Sequence, residues 1–460
     1  MAEADPTPAP PVPATKPQAI SRERLVLLFM VMLVTAAGNT AMQSVMPSIG
    51  TALEVDDVWI SLAYTWSALL WVTCAPYWAK RSDKRGRKSM MALGMVGFIL
   101  SMALCGLALM LGLAGVLSAM WTLLLFALCR SLYGLFGSAA PPAVQAYVAS
   151  RTPRSERTQA LALVASSFGL GTVLGPALAP LLIFPQTGLT GPFFAFAVFA
   201  VVVLLALRLR LPDDEPQFAA RGKAFDAPYG SGAARHARDS DNSDDEDEDS
   251  GEMQAVDESD PPDLKWTDKR LAPWMIAGLL GGHAQAMILG ISGFLVLDRL
   301  GLRETPEAGA GPVGIVLMVG AVATLLAQWG IIPTLRLGPR ASTLWGMLLA
   351  MVGVAIVAVA WDLHSIALGF AVASLGFGLY RPGFTAGSSL AVTRPEQGQV
   401  SGKVASVNGA SYIYAPALGV WLYGHSDWLG FATIIAFCLA VFVLGYRSLQ
   451  SDEFLTRERS

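Results

Sequence analysis

Twelve separate apolar runs, each about as long as a bilayer-crossing helix, constrain this chain more than any other feature. They fall near 25–47, 58–79, 88–110, 118–144, 158–183, 191–211, 271–296, 313–335, 341–361, 364–390, 400–423 and 426–447. A helix rises about 1.5 Å per residue, so roughly 20 residues cross a hydrocarbon core of ~30 Å. Pro and Gly blur the ends of the fourth and tenth runs. Composition agrees: 53% of the 460 residues are hydrophobic and 15% are charged. Soluble proteins carry about 25% charged residues. A soluble core this apolar would leave apolar surface in water, which argues against a soluble enzyme. The expected fold class is an all-α integral membrane protein, with twelve transmembrane helices in two pseudo-symmetric six-helix bundles.

The connections between runs alternate in charge, and cytoplasmic loops are the ones enriched in Lys and Arg. After the second run come Lys80, Arg81, Lys84, Arg85, Arg87 and Lys88. After the fourth come Arg151, Arg154 and Arg157, after the eighth Arg336 and Arg340, and after the tenth Arg394 and Lys403. The connections near 50–57, 111–117, 184–190 and 362–364 hold no Lys or Arg. One connection breaks the pattern: Arg299 and Arg303 follow the seventh run, offset by Asp298, Glu304 and Glu307. The alternation puts both termini and the long middle loop in the cytoplasm of a multi-pass protein.

That middle loop, 212–268, holds 18 acidic and 5 basic residues and includes the stretch RDSDNSDDEDEDSGE. It has too few large apolar residues to bury a core, so disorder is expected. A solvated linker and a regulatory tether both remain open readings. It divides the chain into a tail (1–22), an N-terminal six-helix bundle (23–211), the loop, a C-terminal bundle (269–447) and a cytoplasmic tail (448–460). The first 20 residues are rich in Pro and Ala and lack the short apolar core of a signal peptide. Cys74, Cys105, Cys129 and Cys438 all sit in apolar runs without CxxC spacing, as small buried side chains do. No metal site, disulfide or cofactor is expected, and no nucleophile elbow or phosphate loop stands in the cytoplasmic segments.

The halves repeat one another weakly. ASSFGLGTVLGPAL at 165–178 aligns with ASVNGASYIYAPAL at 405–418 at a constant offset. Ala165/Ala405, Ser166/Ser406, Gly169/Gly409, Pro176/Pro416, Ala177/Ala417 and Leu178/Leu418 are identical. Two related halves around a midplane site is a secondary-transporter arrangement.

Three local patterns carry more information. Ala79 to Lys88 reads AKRSDKRGRK. Gly86 permits a tight turn between two helices, and Asp83 can pair with nearby cations or a helix N-terminus. Arg130 lies deep in the fourth run, as RSLYG at 130–134, where a charge is costly unless a polar surface receives it. Gly171, Gly175 and Pro176 form GxxxGP in the fifth run, with spacing that lets helices approach closely.

Together these resemble the major facilitator superfamily over nearly the whole chain outside the tails and acidic loop. The loop pattern is similar to that family's signature, with Ala79 in place of its first Gly. RSLYG resembles the intramembrane Arg motif, with Tyr133 where many members have Gln. GTVLGPALA resembles the exporters' signature, with Ala179 in place of a Gly. PEQGQVSG at 395–402 also looks like a family loop. The likeness is greatest to twelve-span drug:proton antiporters, including tetracycline-efflux proteins.

The resemblance implies a proton-coupled exporter of a small organic molecule, a multidrug-type antiporter in the bacterial inner membrane. Its implied partners are substrate, protons and lipid, without nucleic acid, and it is expected to be a monomer. Asp83, Lys84, Gly86, Arg87 and Lys88 would form the gating loop, with Asp83 and Arg87 as latch residues. Cation exporters often carry an embedded acid in the first span; here that span offers Asn39 and Gln43. The inner ionisable groups are Arg130, His283 and Arg381. Arg130 is open as a structural group tied to carbonyls or a coupling and substrate residue. His283 is open as a packed histidine or a titrating one. Arg381, beside a helix broken at Pro382, either snorkels to the cytoplasm or lines the cavity. Asn408, Ser411 and Tyr412 could add hydrogen bonds or merely pack. Two Arg without an acid keep open an exporter of an anionic metabolite, such as a carboxylate siderophore. A membrane sensor that docks through the acidic loop is a third class, disfavoured by the intact motifs.

Overall fold

The structure, a computed structural model, describes residues 20–151, 154–212, 264–393 and 396–456. Residues 1–19 and 213–263, most of the expected N-terminal tail and acidic loop, lie outside the described residues. So do the side chains of Asp83 and Lys84, and Pro395 at the start of the loop after the tenth run.

All twelve apolar runs are helical. The N-terminal half contains α1 (Arg22–Ala52), α2 (Asp57–Arg85), α3 (Arg87–Leu113), α4 (Ala119–Phe136), α5 (Ala140–Arg151), α6 (Arg154–Leu178) and α7 (Gly191–Arg210). The C-terminal half contains α8 (Ala272–Arg299), α9 (Pro306–Leu325), α10 (Ile332–Leu335), α11 (Pro339–Val359), α12 (Leu363–Leu390), α13 (Gln397–His425) and α14 (Asp427–Ser448). A short α15 (Asp452–Thr456) follows. A 3₁₀ turn at Gly137–Ala139 joins α4 to α5 as one span. A wide π turn at Leu326–Ile331 joins α9 to α10 immediately before Pro333. There the proline ring would clash with the carbonyl four residues earlier, and the wider turn relieves it.

Ten helical segments among the described residues are long and apolar enough to cross a membrane. The other two are α6 and α13, which correspond to the fifth and eleventh runs. In α6 the stretch Ser166–Leu182 is apolar, and α13 carries Gln399, Lys403, Ser406, Asn408 and Ser411. Both pack on two sides against other helices: α6 on α1 and α9, α13 on α8 and α2. A helix sheltered in this way presents less of its surface to lipid, so it tolerates polar residues that an outer helix would not.

Capping explains several boundaries. The Asp362 carboxylate accepts from the backbone N–H groups of His364 and Ser365 at 2.9 and 3.1 Å and so starts α12. Asp452 of α15 reaches back to α11 and accepts from Arg340 N–H at 2.7 Å and Ala341 N–H at 3.1 Å. Gly86 separates α2 from α3 with φ of 87°, a left-handed conformation that glycine adopts without strain. Pro382 does not break α12, which continues unbroken from Leu363 to Leu390. The break expected at Arg381 is therefore absent, because neighbouring helices hold the helix on course through the proline.

Candidate functional site

Arg130 is 4% exposed on α4, and three helices converge on it. Its Nη2 donates to Asn39 Oδ1 on α1. Its guanidinium carbon lies 4.4 Å from the Tyr133 ring centroid, within cation–π range. On α2, Ser67 Oγ donates to the Arg130 carbonyl at 3.2 Å. Tyr64, one turn earlier on α2, packs edge-on against Phe126, one turn before Arg130. Arg130 Nε and Nη1, and Tyr64 Oη, are buried without a hydrogen-bond partner among the described residues. Gln43 stands half-buried one turn past Asn39.

Arg381 occupies the C-terminal half, 8% exposed on α12. Its Nη1 donates to Tyr412 Oη on α13 at 3.3 Å, and its guanidinium carbon lies 5.5 Å from that ring's centroid. The side chain turns onto a neighbouring helix rather than snorkelling away. Asn408 stands half-buried one turn before Tyr412. No Asp or Glu belongs to the buried polar side chains of the described residues.

His283 is buried on α8 and both ring nitrogens are engaged. Nδ1 lies 2.7 Å from the Leu279 carbonyl, which can only accept, so Nδ1 carries the hydrogen. Nε2 lies 2.6 Å from Tyr414 Oη, within hydrogen-bond distance. Both ring nitrogens are thus satisfied within the packed helices. Tyr414 was not singled out from the sequence, because a contact between residues this far apart leaves no local trace.

The GxxxGP residues build a seam. A Cβ on Gly171 would lie 2.6 Å from Ala36 Cβ and 2.8 Å from the Leu33 carbonyl oxygen on α1. Gly175 faces the Ala37–Ala41 backbone equally closely, and Thr40 Oγ1 donates to the Gly171 carbonyl at 3.2 Å. The carbonyl of Pro176 abuts Gly314 of α9, in the other half. The repeat keeps this closeness with the glycines moved across. Ser411, at the position equivalent to Gly171, packs onto Gly282 of α8, and Pro416 onto Gly290. Ser411 Oγ also sits 3.4 Å from the Leu279 carbonyl.

In the gating loop, Gly86 makes the expected turn, while Arg87 and Lys88 open α3, both half-buried. At the opposite end of the bundle, Arg303 crosses between the halves. It donates to both carboxylate oxygens of Asp57 at 2.8 and 2.6 Å and to Thr51 Oγ1 at 3.1 Å. Arg299 pairs with Asp427 at 2.9 Å. The two cations that break the charge alternation are therefore both ion-paired, and that irregularity was the one sequence signal pointing to this cluster.

Comparison with known proteins completes the picture. A model of the Major Facilitator Superfamily matches residues 28–337. The multidrug resistance protein MdtG of Citrobacter koseri is 33% identical over 152 residues, covering 33% of this chain and 34% of its own. Multidrug resistance protein 3 of Bacillus subtilis is 27% identical over 170 residues, covering 36% and 30%. The matched stretch thus spans about a third of those relatives. Among solved structures, a bacterial homologue of the human lysosomal transporter Spinster, inward-facing and occupied, superposes with TM-score 0.66 at 12% identity. It covers 93% of this chain and 97% of its own. The human organic anion transporter MFSD10 superposes with TM-score 0.57 at 19% identity, covering 93% and 100%. These likenesses concern the fold. With the family model covering more than half the sequence and all twelve runs folded as helices, this chain belongs to the major facilitator superfamily of membrane transporters.

Proposed function

We propose that the chain is a proton-coupled exporter of a small organic molecule, working as a monomer in a bacterial inner membrane with both termini in the cytoplasm. The two halves rock about a central site near Arg130 and Arg381, exposing it alternately to each side. The observation that carries the reading is the α1–α6 seam. Gly171, Gly175 and Pro176 form the exporter-type pattern, and they lie where α6 also meets α9 of the other half. A pattern placed at that junction bears directly on how the halves move. The AKRSDKRGRK connection, with Asp83 and Arg87 as its latch, would hold the cytoplasmic end in one state. The MdtG proteins are described as multidrug resistance proteins, which supports export. The test is pH-gradient-driven uptake of a substrate panel into inverted vesicles. Uptake abolished by a protonophore supports the reading, and uptake indifferent to the gradient overturns the coupling.

A second reading, a dedicated exporter of an anionic metabolite, is favoured by one observation. Arg130 and Arg381 are both buried, and the described residues offer no buried carboxylate to offset them.

A further inference from the structure

The end of the bundle opposite the termini holds a charge cluster that the proposed function leaves without a role. Arg303, between α8 and α9, reaches across to the N-terminal half and grips Asp57 with two parallel hydrogen bonds. Its Nε simultaneously donates to Asp298 of its own half at 2.7 Å. Asp298 is in turn held by Tyr423 Oη at 2.9 Å. The grip on Asp57 strengthens Arg303 as a base, raising its pKa further above the usual guanidinium range. Asp56 and Asp298 are the other charges facing Asp57. Beneath this cluster the halves are in contact. Pro47 of α1 fills the space beside Gly293 of α8, and a Cβ on Gly309 of α9 would lie 3.2 Å from Ser48 Oγ.

We infer that Asp57, Arg303 and Asp298 are positioning residues of the transport cycle, forming an ion-pair lock that holds this end shut. The inference rests on the reading that the halves alternate, and on nothing about cargo or protons. A bidentate arginine–carboxylate pair is directional as well as attractive, so it fixes the register of the two halves. Opening an ion pair normally leaves an uncompensated charge, which is what makes breaking it costly. Here Asp298 and Tyr423 belong to the same half as Arg303. When the halves part, Arg303 stays with Asp298, and Asp57 at the mouth meets water. The lock therefore opens without stranding its cation. Asp57 should favour the shut state, whereas Asp298 should favour the open one by competing for Arg303. Two residues that merely stabilised the fold would not have opposite effects on opening.

The experiment reads opening directly. Ser48 is fully buried between the halves at this end. The thiol introduced by Ser48→Cys is reacted with a polar maleimide in detergent-purified protein, and labelling of the parent chain is subtracted for the native cysteines. Asp57→Asn and Arg303→Gln should each speed labelling at least about fivefold. Asp57→Glu should stay near the starting rate, and Asp298→Asn should label at or below it. An unchanged rate in Asp57→Asn, or faster labelling in Asp298→Asn, overturns the lock. If Asp57→Asn does not give monodisperse protein, Arg303→Gln decides the same question. The readout needs no substrate or pH gradient, so failure of the export reading leaves it intact.

Discussion

Gly175 of α6 faces Ala37 of α1 across so narrow a gap that any side chain at 175 would collide with the Ala37 carbonyl and Thr40 Oγ1. The obstacle includes backbone, so a rotamer change alone cannot relieve it, and the helices must separate. Gly175→Ala should destabilise the protein by about 1–3 kcal/mol, the usual cost of overpacking. Gly424→Ala is the control, because a Cβ there meets nothing within 4 Å. Thermal unfolding in detergent should show a clear loss for the first and none for the second. Equal melting temperatures would mean the seam is looser than its geometry indicates.

His283 should not be the proton-coupling group. Its Nδ1 hydrogen is committed to the Leu279 carbonyl and its Nε2 is engaged by the Tyr414 hydroxyl. Tyr414→Phe and His283→Gln should therefore keep the wild-type pH profile of transport. A shifted profile in His283→Gln would restore the titrating role.

Much of this architecture is legible from residue order, for a physical reason. Lipid solubility acts run by run, so all twelve helices register as apolar stretches. The turn at Gly86 and the close faces at Gly171 and Gly175 are local too, since each depends on a missing Cβ. What escapes is what depends on distant partners. Asp57 opens α2 and Arg303 lies in the connection after α8, far apart in sequence, and only the disturbed charge alternation marked the second. Arg381 could not be oriented from sequence, because its direction is set by Tyr412 on another helix. Asp452 looks like a tail residue until the start of α11 is found resting on it.

Arg270 clamps the start of the C-terminal half to the connection before α13. It bonds Asp268 and Glu396, each at 2.8 Å. The Arg270 guanidinium, helped by Thr393, holds the Glu396 carboxyl at a pKa of about 2. A depressed carboxyl contributes stability above its unfolded pKa of about 4.3. That contribution fades as pH falls from there toward about 2. The stability difference between wild type and Glu396→Gln should thus be constant from neutral pH to about 5 and shrink below it. The clamp is partly exposed, so salt should also weaken it. Chemical denaturation at several pH values checks this, and a difference that grows on acidification would reverse the sign.

The last expectation concerns cargo charge. Arg130 and Arg381 are buried in opposite halves; Asn39 and Tyr133 contact the first, and Tyr412 is among the groups that contact the second. Two like charges ~5 Å apart repel by about 3 kcal/mol at an effective dielectric near 20. A cationic drug approaching either guanidinium meets a repulsion of that order, with no buried carboxylate among the described residues to offset it. An anion gains charge-assisted, planar hydrogen bonds instead. In matched analogues competing with a transported fluorescent compound, anions should bind at least about tenfold more tightly than cations. Arg381→Ala should erase most of that preference while leaving neutral analogues nearly unaffected. Tighter binding of the cations, unchanged in Arg381→Ala, would remove the anionic reading and leave a cavity whose selectivity is set by shape.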